Sequence, residues 1–217
     1  GAPLAAVAAR EVRKTVTVVF SDLKDSTALG ERLDSEALRE VMSRYFEAMR
    51  AVLEAHGGLI EKFIGDAIMA VFGLPRVHED DALRAVRAAF AMQATLAQLN
   101  GELEPRYGVR LSNRTGVNTG EVVSGDPSLG QRLVTGDTVN LAARLEQAAP
   151  ANEVLLGQTT YRLVRAAVQV EPVAPLDLKG KSEPVPAYRL LGLVAAEPAA
   201  GGSEGLVGRE RELDLLV

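Results

Sequence analysis

The sequence predicts an α+β fold in which helices cover one face of a largely antiparallel sheet. Short segments rich in β-branched and aromatic residues alternate with longer segments in which apolar residues recur every three or four positions. The first kind of segment is typical of strands and the second of amphipathic helices. Taken in order, they give the series βαββαβ, followed by additional C-terminal strands and helices. This series indicates a ferredoxin-like sandwich.

Apolar periodicity and turn residues define the elements of the first half of the chain. Asp34 or Ser35 can cap the first long helix, and Gly57 ends it. The apolar face of that helix comprises Leu38, Val41, Tyr45, Met49 and Val52. We expect a strand over 15–20 before this helix and a hairpin over 59–72 after it. A second helix from about Glu79 to Asn100 follows, and its predicted buried stripe comprises Leu83, Val86, Phe90, Ala94 and Ala97.

The second half of the chain contains shorter elements. In order, we expect strands over 110–117, 121–125 and 131–134, a helix over 138–148, a strand over 153–156, a short helix over 158–165 and a strand over 187–190. The composition also divides the chain into an N-terminal arm (1–12), a folded domain (13–192), a linker (193–205) and the truncated start of a further domain (206–217).

Composition excludes several classes of function. The 217 residues, of which 47% are hydrophobic, can bury one core of ordinary size. The absence of cysteine excludes disulfides, thiolate nucleophiles and zinc–thiolate sites, and it fits a cytoplasmic protein. The net charge of −5 includes no block of basic residues, so we do not expect nucleic acid as a partner. The sequence contains neither a signal peptide nor an apolar run long enough to span a membrane.

Two aspartates lie where a metal site could form. Asp22 follows the first predicted strand, and Asp66 lies in the Gly65–Asp66 turn of the hairpin. Carboxylates at such positions are fixed by a strand and open to solvent, so the pair could hold two hard cations of the kind used in phosphoryl transfer. For Asp66 alone, a simple turn residue is an equally good interpretation.

Four motifs in order resemble the catalytic domain of class III adenylyl/guanylyl cyclases. They are Phe20–Thr27 (FSDLKDST), Lys62–Asp66 (KFIGD), Arg114–Gly120 (RTGVNTG) and Gly136–Arg144 (GDTVNLAAR). The resemblance covers roughly residues 13–192. Near the C-terminus, Val207–Glu210 resembles the opening of the AAA-type ATPase domain that follows many bacterial cyclase domains, so a downstream ATPase is expected in the full-length protein.

The resemblance implies a homodimer whose two active sites lie at the interface and contain residues of both chains. It assigns the side chains of Asp22 and Asp66 and the carbonyl of Leu23 as ligands of two Mg²⁺ or Mn²⁺ ions per site. It assigns phosphate binding to the backbone of Lys24, Asp25, Ser26 and Thr27 and to the side chains of Arg114 and Lys179. Simple capping of a helix by Ser26 or Thr27 is the alternative interpretation of that loop.

The resemblance also assigns residues that the partner chain supplies. Asn140 would orient the ribose and Arg144 would neutralise charge on the α-phosphate; they are four residues apart and so lie on one helix face. A solvated surface is the alternative. Lys62 would select adenine, because its ammonium donates to the N1 acceptor. Leu133 departs from the family pattern, because leucine cannot accept a hydrogen bond from the adenine amino group. Gln131 or Thr135 could accept that hydrogen bond instead.

The sequence therefore predicts a nucleotidyl cyclase that converts ATP to 3′,5′-cyclic AMP and pyrophosphate. The alternatives are a guanylyl cyclase, and a catalytically weak cyclase-like domain that binds nucleotide and regulates the downstream ATPase.

Overall fold

A computed structural model gives the fold and describes residues 12–124, 134–177 and 183–194. The predicted α+β sandwich with a βαββαβ core and C-terminal additions is confirmed. Its elements are β1 (Val12–Leu23), α1 (Ser26–Arg32), α2 (Ser35–Ala55), β2 (Leu59–Ile64), β3 (Ala67–Phe72), α3 (Asp81–Tyr107), β4 (Asn113–Ser124), β5 (Val134–Thr135), α4 (Asp137–Ala148), β6 (Glu153–Gly157), α5 (Gln158–Val164), β7 (Val168–Pro172) and β8 (Ala187–Leu193).

The strands form one sheet with β1 near its centre. Their order is β2-β3-β1-β4-β6-β8-β7, and β5 pairs with β4 outside this path. β1 is antiparallel to both β3 and β4, whereas β4 and β6 are parallel. Near the end of β1, Asp22 lies opposite Ala67 on one side and opposite Arg114 on the other. The register therefore places residues from three strands beside one another at this edge of the sheet.

The two faces of the sheet pack against different helices. Val19 of β1 faces α2 and α3 in the main core, which includes Tyr45. Val18 points to the opposite face, in a second cluster that includes Ala142 of α4. The prediction that helices cover one face is therefore incomplete, because α4 covers the other. The continuous apolar run of β3, buried at all of its positions, is typical of a strand buried on both faces.

Two glycines let α4 approach β4 closely. A Cβ atom at Gly116 would collide with the backbone of Ala142 and Glu146, and one at Gly120 would collide with the Thr138 side chain. The Thr138 hydroxyl donates to the carbonyl of Glu121 (2.7 Å) and fixes the start of the helix. The glycines of the RTGVNTG motif therefore set the position of α4 and of every side chain that it carries.

The predicted boundaries of α2 and of the hairpin are confirmed. Asp34 caps α2 by accepting hydrogen bonds from the amides of Glu36 (3.0 Å) and Ala37 (2.8 Å). β2 and β3 form the hairpin, with Gly65–Asp66 as its turn. The helix over 138–148, the strand over 153–156 and the short helix after it are also present within one or two residues of their predicted ends.

Several predictions about helices and strands are wrong. α3 continues past Gly101 to Tyr107, because Leu99 and Leu103 extend its buried stripe and Gly101 lies on its open side. The predicted buried stripe is only partly correct: Val86 is buried and Leu83 half-buried, whereas Phe90, Ala94 and Ala97 are exposed. The buried apolar positions of α3 are Ala82, Ala85, Val86, Ala88, Ala89, Met92, Leu96, Leu99 and Leu103. The strands predicted over 110–117 and 121–125 are one strand, β4, and β7 was not predicted.

Some predictions fall outside the described residues. These are most of the N-terminal arm, residues 131–133 of one strand, nearly all of the linker, and the segment 206–217. Within the described ranges, every helix is too short or too polar to cross a lipid bilayer.

Candidate active site

The sheet register brings the two predicted metal ligands together. Asp66 precedes Ala67, the residue that pairs with Asp22 across β1 and β3. Both aspartates are half-buried and line the same cavity of about 790 Å³, a size in the usual range for ligand pockets. Burial and the negative charge of Asp66 raise the pKa of Asp22, and the Arg114 guanidinium partly opposes both effects. The raised pKa indicates that the two carboxylates repel each other in the absence of a cation.

The same cavity contains most of the predicted phosphate-binding residues. Its wall includes Asp22, Leu23, Lys24, Asp25, Ser26, Thr27, Asp66 and Arg114. Arg32, Arg110 and Ser112 also line it, and sequence reasoning missed all three. The two arginines add positive charge to that of Lys24 and Arg114, and Glu31 adds negative charge to that of the aspartates. The wall therefore carries groups that suit an anionic ligand together with a cation.

The loop before α1 has an unusual backbone conformation. Asp25 adopts a left-handed conformation (φ 58°) and occupies the N-cap position of α1, with no hydrogen bond from its side chain to the helix. The alternative in which Ser26 or Thr27 caps the helix is wrong, because both lie inside its first turn. The amide of Lys24 donates to the carbonyl of Ser112 (2.8 Å), so it is already engaged. Amides in a first turn lack the usual α-helical acceptor, and Ser26, Thr27 and Ala28, which carry these amides, line the cavity. The amide of Ala28 already donates to the carbonyl of Asp25 (3.0 Å).

A buried glutamate holds the arginine beside Asp22. Arg114 Nη2 lies 3.0 Å from Asp22 Oδ2 and 3.1 Å from Glu146 Oε1. The Glu146 side chain is only 3% exposed. Burial, which is the largest effect, and the charges of Asp22 and Asp66 together raise the pKa of Glu146 to about 7, against the opposing charge of Arg114. Sequence reasoning missed this residue, although a charged side chain beside Ala142, Leu145 and Ala149 on the buried face of α4 was a usable signal.

The aspartate pair suits a hard divalent cation. Asp22 Oδ1 is buried and accepts no hydrogen bond within the described part of the chain, so it retains a lone pair that a cation could take. The described ranges contain no group of three or more His, Cys, Asp or Glu that could hold a metal by themselves. Mg²⁺ is usually bound through one or two carboxylates, with water and substrate phosphates completing its coordination, so two aspartates are sufficient.

Three further predicted site residues lie outside this cavity. Asn140 is exposed and Arg144 half-buried on α4, and neither lines it. Lys62 is half-buried on β2, next to the exposed Phe63, and it does not line the cavity either. Leu133 and Lys179 are not among the described residues, and neither is Gln131. One chain therefore gathers the aspartates and the loop, but not the residues assigned to the ribose, the α-phosphate and the base.

Comparison with known proteins defines the class. The model of the family described as "Adenylate and Guanylate cyclase catalytic domain" matches residues 8–192. The chain therefore belongs to the adenylyl/guanylyl cyclase catalytic domain family, as its motifs predict.

Both adenylyl and guanylyl cyclases are among the proteins similar to this chain. It is 30% identical to "Adenylate cyclase 1" of Rhizobium meliloti over 85% of its own length and 28% of that protein, and 31% identical to "Adenylate cyclase, terminal-differentiation specific" of Dictyostelium discoideum over 82% of its length and 9% of that protein. It thus spans about a quarter of these relatives or less.

Among solved structures, the adenylyl cyclase CyaB from P. aeruginosa has a TM-score of 0.80 at 33% identity, over 84% of this chain and 96% of that one. The guanylyl cyclase Cya2 has a TM-score of 0.79 at 31% identity, over 87% and 97%.

Proposed function

We propose that this domain is an adenylyl cyclase that converts ATP to 3′,5′-cyclic AMP and pyrophosphate at the interface of a homodimer. The observation that carries this proposal is the separation within one chain between the cavity of Asp22 and Asp66 and the exposed Asn140 and half-buried Arg144 of α4. In a head-to-tail dimer, the cavity of one copy would face Asn140 and Arg144 of the other copy. A symmetric dimer would therefore contain two equal sites.

Asp22, Asp66 and the carbonyl of Leu23 are the residues that would hold two Mg²⁺ or Mn²⁺ ions. The buried, unpartnered Oδ1 of Asp22 supports this assignment. When bound, such ions would lower the pKa of the ribose 3′-hydroxyl and neutralise charge on the triphosphate. A cation would also relieve the repulsion that raises the pKa of Asp22.

The chain's own groups would orient the triphosphate for an internal displacement. The ribose 3′-oxygen attacks the α-phosphorus, the bond from that phosphorus to the oxygen shared with the β-phosphate breaks, and pyrophosphate leaves. The backbone amides of Asp25, Ser26 and Thr27, the Arg114 guanidinium and Lys179 would bind the phosphates that leave, whereas the Lys24 amide already donates to the carbonyl of Ser112. We assign the orientation of the ribose to Asn140 of the second copy.

Negative charge builds on the α-phosphate oxygens during this displacement. We assign its neutralisation to Arg144 of the second copy, whose side chain makes no hydrogen bond or ion pair with another described residue. An arginine placed in this way contributes about 10³-fold or more to the rate of phosphoryl transfer.

Lys62 supports ATP as the substrate. An ammonium group can donate to N1 of adenine, whereas N1 of guanine carries a hydrogen and is itself a donor. The likeness to the guanylyl cyclase Cya2 makes GTP the principal competing substrate, so both nucleotides belong in the test.

The experiment is to incubate the purified chain with ATP or GTP and Mn²⁺ and to quantify each cyclic product. Cyclic AMP should form, and Asp66→Asn should abolish it. Glu54→Gln, which removes an exposed carboxylate of α2 away from the cavity, is the matched control and should retain activity. Cyclic GMP as the main product would support the guanylyl cyclase alternative. No cyclic product from either nucleotide, with binding intact, would support the nucleotide-binding regulator.

A further inference from the structure

Arg114 is held from two sides by carboxylates that differ in their surroundings. Its Nη2 atom lies 3.0 Å from Asp22 Oδ2 and 3.1 Å from Glu146 Oε1, and its Nη1 lies 3.4 Å from the carbonyl oxygen of Gln147. The side chain of Glu146 is 3% exposed, whereas those of Asp22 and Arg114 are 19% and 26% exposed. Glu146 therefore contacts the guanidinium from the protein interior, and Arg114 itself reaches the cavity wall.

Glu146 cannot easily move away from Arg114. Its backbone amide lies so close to Gly116 of β4 that a Cβ atom there would collide with it. Its neighbours on the buried face of α4 are Leu145 and Ala149. A carboxylate fixed in this way keeps the guanidinium in one place, because leaving a buried charge unpaired is strongly unfavourable.

Asp22 is a less permanent partner of Arg114. Under the proposed function its carboxylate is shared with cations, which compete with the guanidinium for the same negative charge. Glu146 lies behind Arg114, is absent from the cavity wall and would keep its full interaction when the site is loaded. The guanidinium would then stay in its position and bind a phosphate through its exposed edge.

We infer that Glu146 is a positioning residue that holds the Arg114 guanidinium at the cavity wall for an anionic phosphate group. The inference rests on the proposed function in so far as Arg114 is the phosphate ligand. It assigns to the glutamate of the GDTVNLAARLE segment a role within its own chain, whereas Asn140 and Arg144 of the same helix are assigned to the partner. One helix would thus serve two active sites.

The test is a double-mutant cycle on the affinity for inorganic pyrophosphate in the presence of Mg²⁺, measured by calorimetry at a pH above 7, where the Glu146 side chain is ionised. Glu146→Gln should weaken pyrophosphate binding about tenfold, because a neutral amide orients the guanidinium less strongly. In an Arg114→Ala background, Glu146→Gln should have no further effect. Glu146→Asp, which keeps the charge, should fall between the wild type and Glu146→Gln.

Asp81→Asn is the matched control for this cycle. Asp81 is a buried carboxylate paired with Arg84 at the start of α3, and neither residue lines the cavity. This variant should leave pyrophosphate affinity unchanged even if it lowers thermal stability.

Equal weakening by Glu146→Gln with and without Arg114, or no weakening at all, would overturn the inference. If Glu146→Gln does not fold, the same comparison is made with Glu146→Asp, whose loss of affinity must likewise disappear in the Arg114→Ala background.

Binding of pyrophosphate does not depend on turnover. Coupling between the two residues without any cyclic product would contradict the proposed function and leave the inference standing, whereas cyclic product without coupling would contradict the inference alone.

Discussion

The two halves of the proposed site differ in how firmly one chain holds them. In the cavity, Asp22 and Arg114 are paired with each other, and the buried Glu146 also contacts the Arg114 guanidinium, from the protein interior. On the outer side of α4, the side chains of Asn140 and Arg144 make no hydrogen bond or ion pair with other described residues. A paired arginine is positioned before any ligand arrives, whereas the described part of the chain gives Arg144 no partner. The difference indicates that the described residues fix the cavity half of the site more firmly than the α4 half.

The largest effect is expected from the aspartates of the cavity. Asp22→Ala or Asp66→Ala should reduce cyclic product by about 10³-fold or more, because each removes a cation ligand that contributes several kcal/mol of transition-state stabilisation. Thermal unfolding should change little, and the metal-free protein could gain stability from the loss of like-charge repulsion. Product formation at the wild-type rate by either variant would contradict the metal assignment.

The two arginines should separate activity from stability. Arg144→Ala should abolish product with an unchanged free energy of unfolding, since its side chain pairs with nothing described in its own chain. Arg114→Ala should lower the free energy of unfolding by about 2 kcal/mol, because it leaves the buried Glu146 without its counter-ion. Chemical denaturation of both variants in the absence of metal checks this, and equal stabilities would contradict the contrast drawn between them.

Glu146 should make the stability of the metal-free protein depend on pH. Its pKa rises from 4.5 to about 7 in the folded state, so between these values the folded protein holds a proton that the unfolded chain has released. The resulting stability is fully present below pH 4.5 and is lost as the pH rises to about 7, at most about 3 kcal/mol in total. The charges that act on Glu146 are those of Arg114, Asp22 and Asp66.

Glu146→Gln removes this titration and serves as the comparison. Relative to the wild type, the variant should gain stability as the pH rises from 4.5 to 7. Thermal unfolding of both proteins with a chelator present, at several pH values in this range, measures the difference. Parallel pH profiles for the two proteins would contradict the assignment.

The smallest effect concerns selection of the base. If Leu133 occupies the second base-reading position, as the family resemblance implies, adenine loses one hydrogen bond, which typically costs about 1–1.5 kcal/mol, or about tenfold in discrimination. Leu133→Thr should therefore widen the ATP/GTP ratio of kcat/KM by about tenfold, and Lys62→Ala should collapse it. If Gln131 or Thr135 already accepts the adenine amino group, Leu133→Thr would change little, and alanine at the accepting position would erode selectivity.

The sequence allowed much of the cavity to be predicted, because its residues lie in local motifs. Asp22 lies near the end of a strand and Asp66 in a turn, both of which the sequence pattern identifies, and the pairing of β1 with β3, the second strand of the hairpin, brings them together. The position of α4 was not predictable in the same way. It depends on Gly116 and Gly120, whose role is visible only once the helix is seen to lie on them.

The errors in α3 have a similar cause. Gly101 and Pro105 are local signals for the end of a helix, and packing of Leu99 and Leu103 in the core overrides them. Glu146 was missed for the opposite reason: a glutamate on a helix is ordinary, so its place on the apolar face of α4 was overlooked, and its burial beside Arg114 makes it a candidate positioning residue.

The central claim is that one active site contains residues of two chains, and a mixing experiment tests it most directly. Asp66→Ala and Arg144→Ala should each be inactive alone. In an equimolar mixture that exchanges subunits freely, half of the dimers contain one chain of each kind, and one of their two sites is intact, so about a quarter of wild-type activity should return. A mixture that stays inactive while mixed dimers are demonstrably present would show that Asp66 and Arg144 do not act from opposite chains.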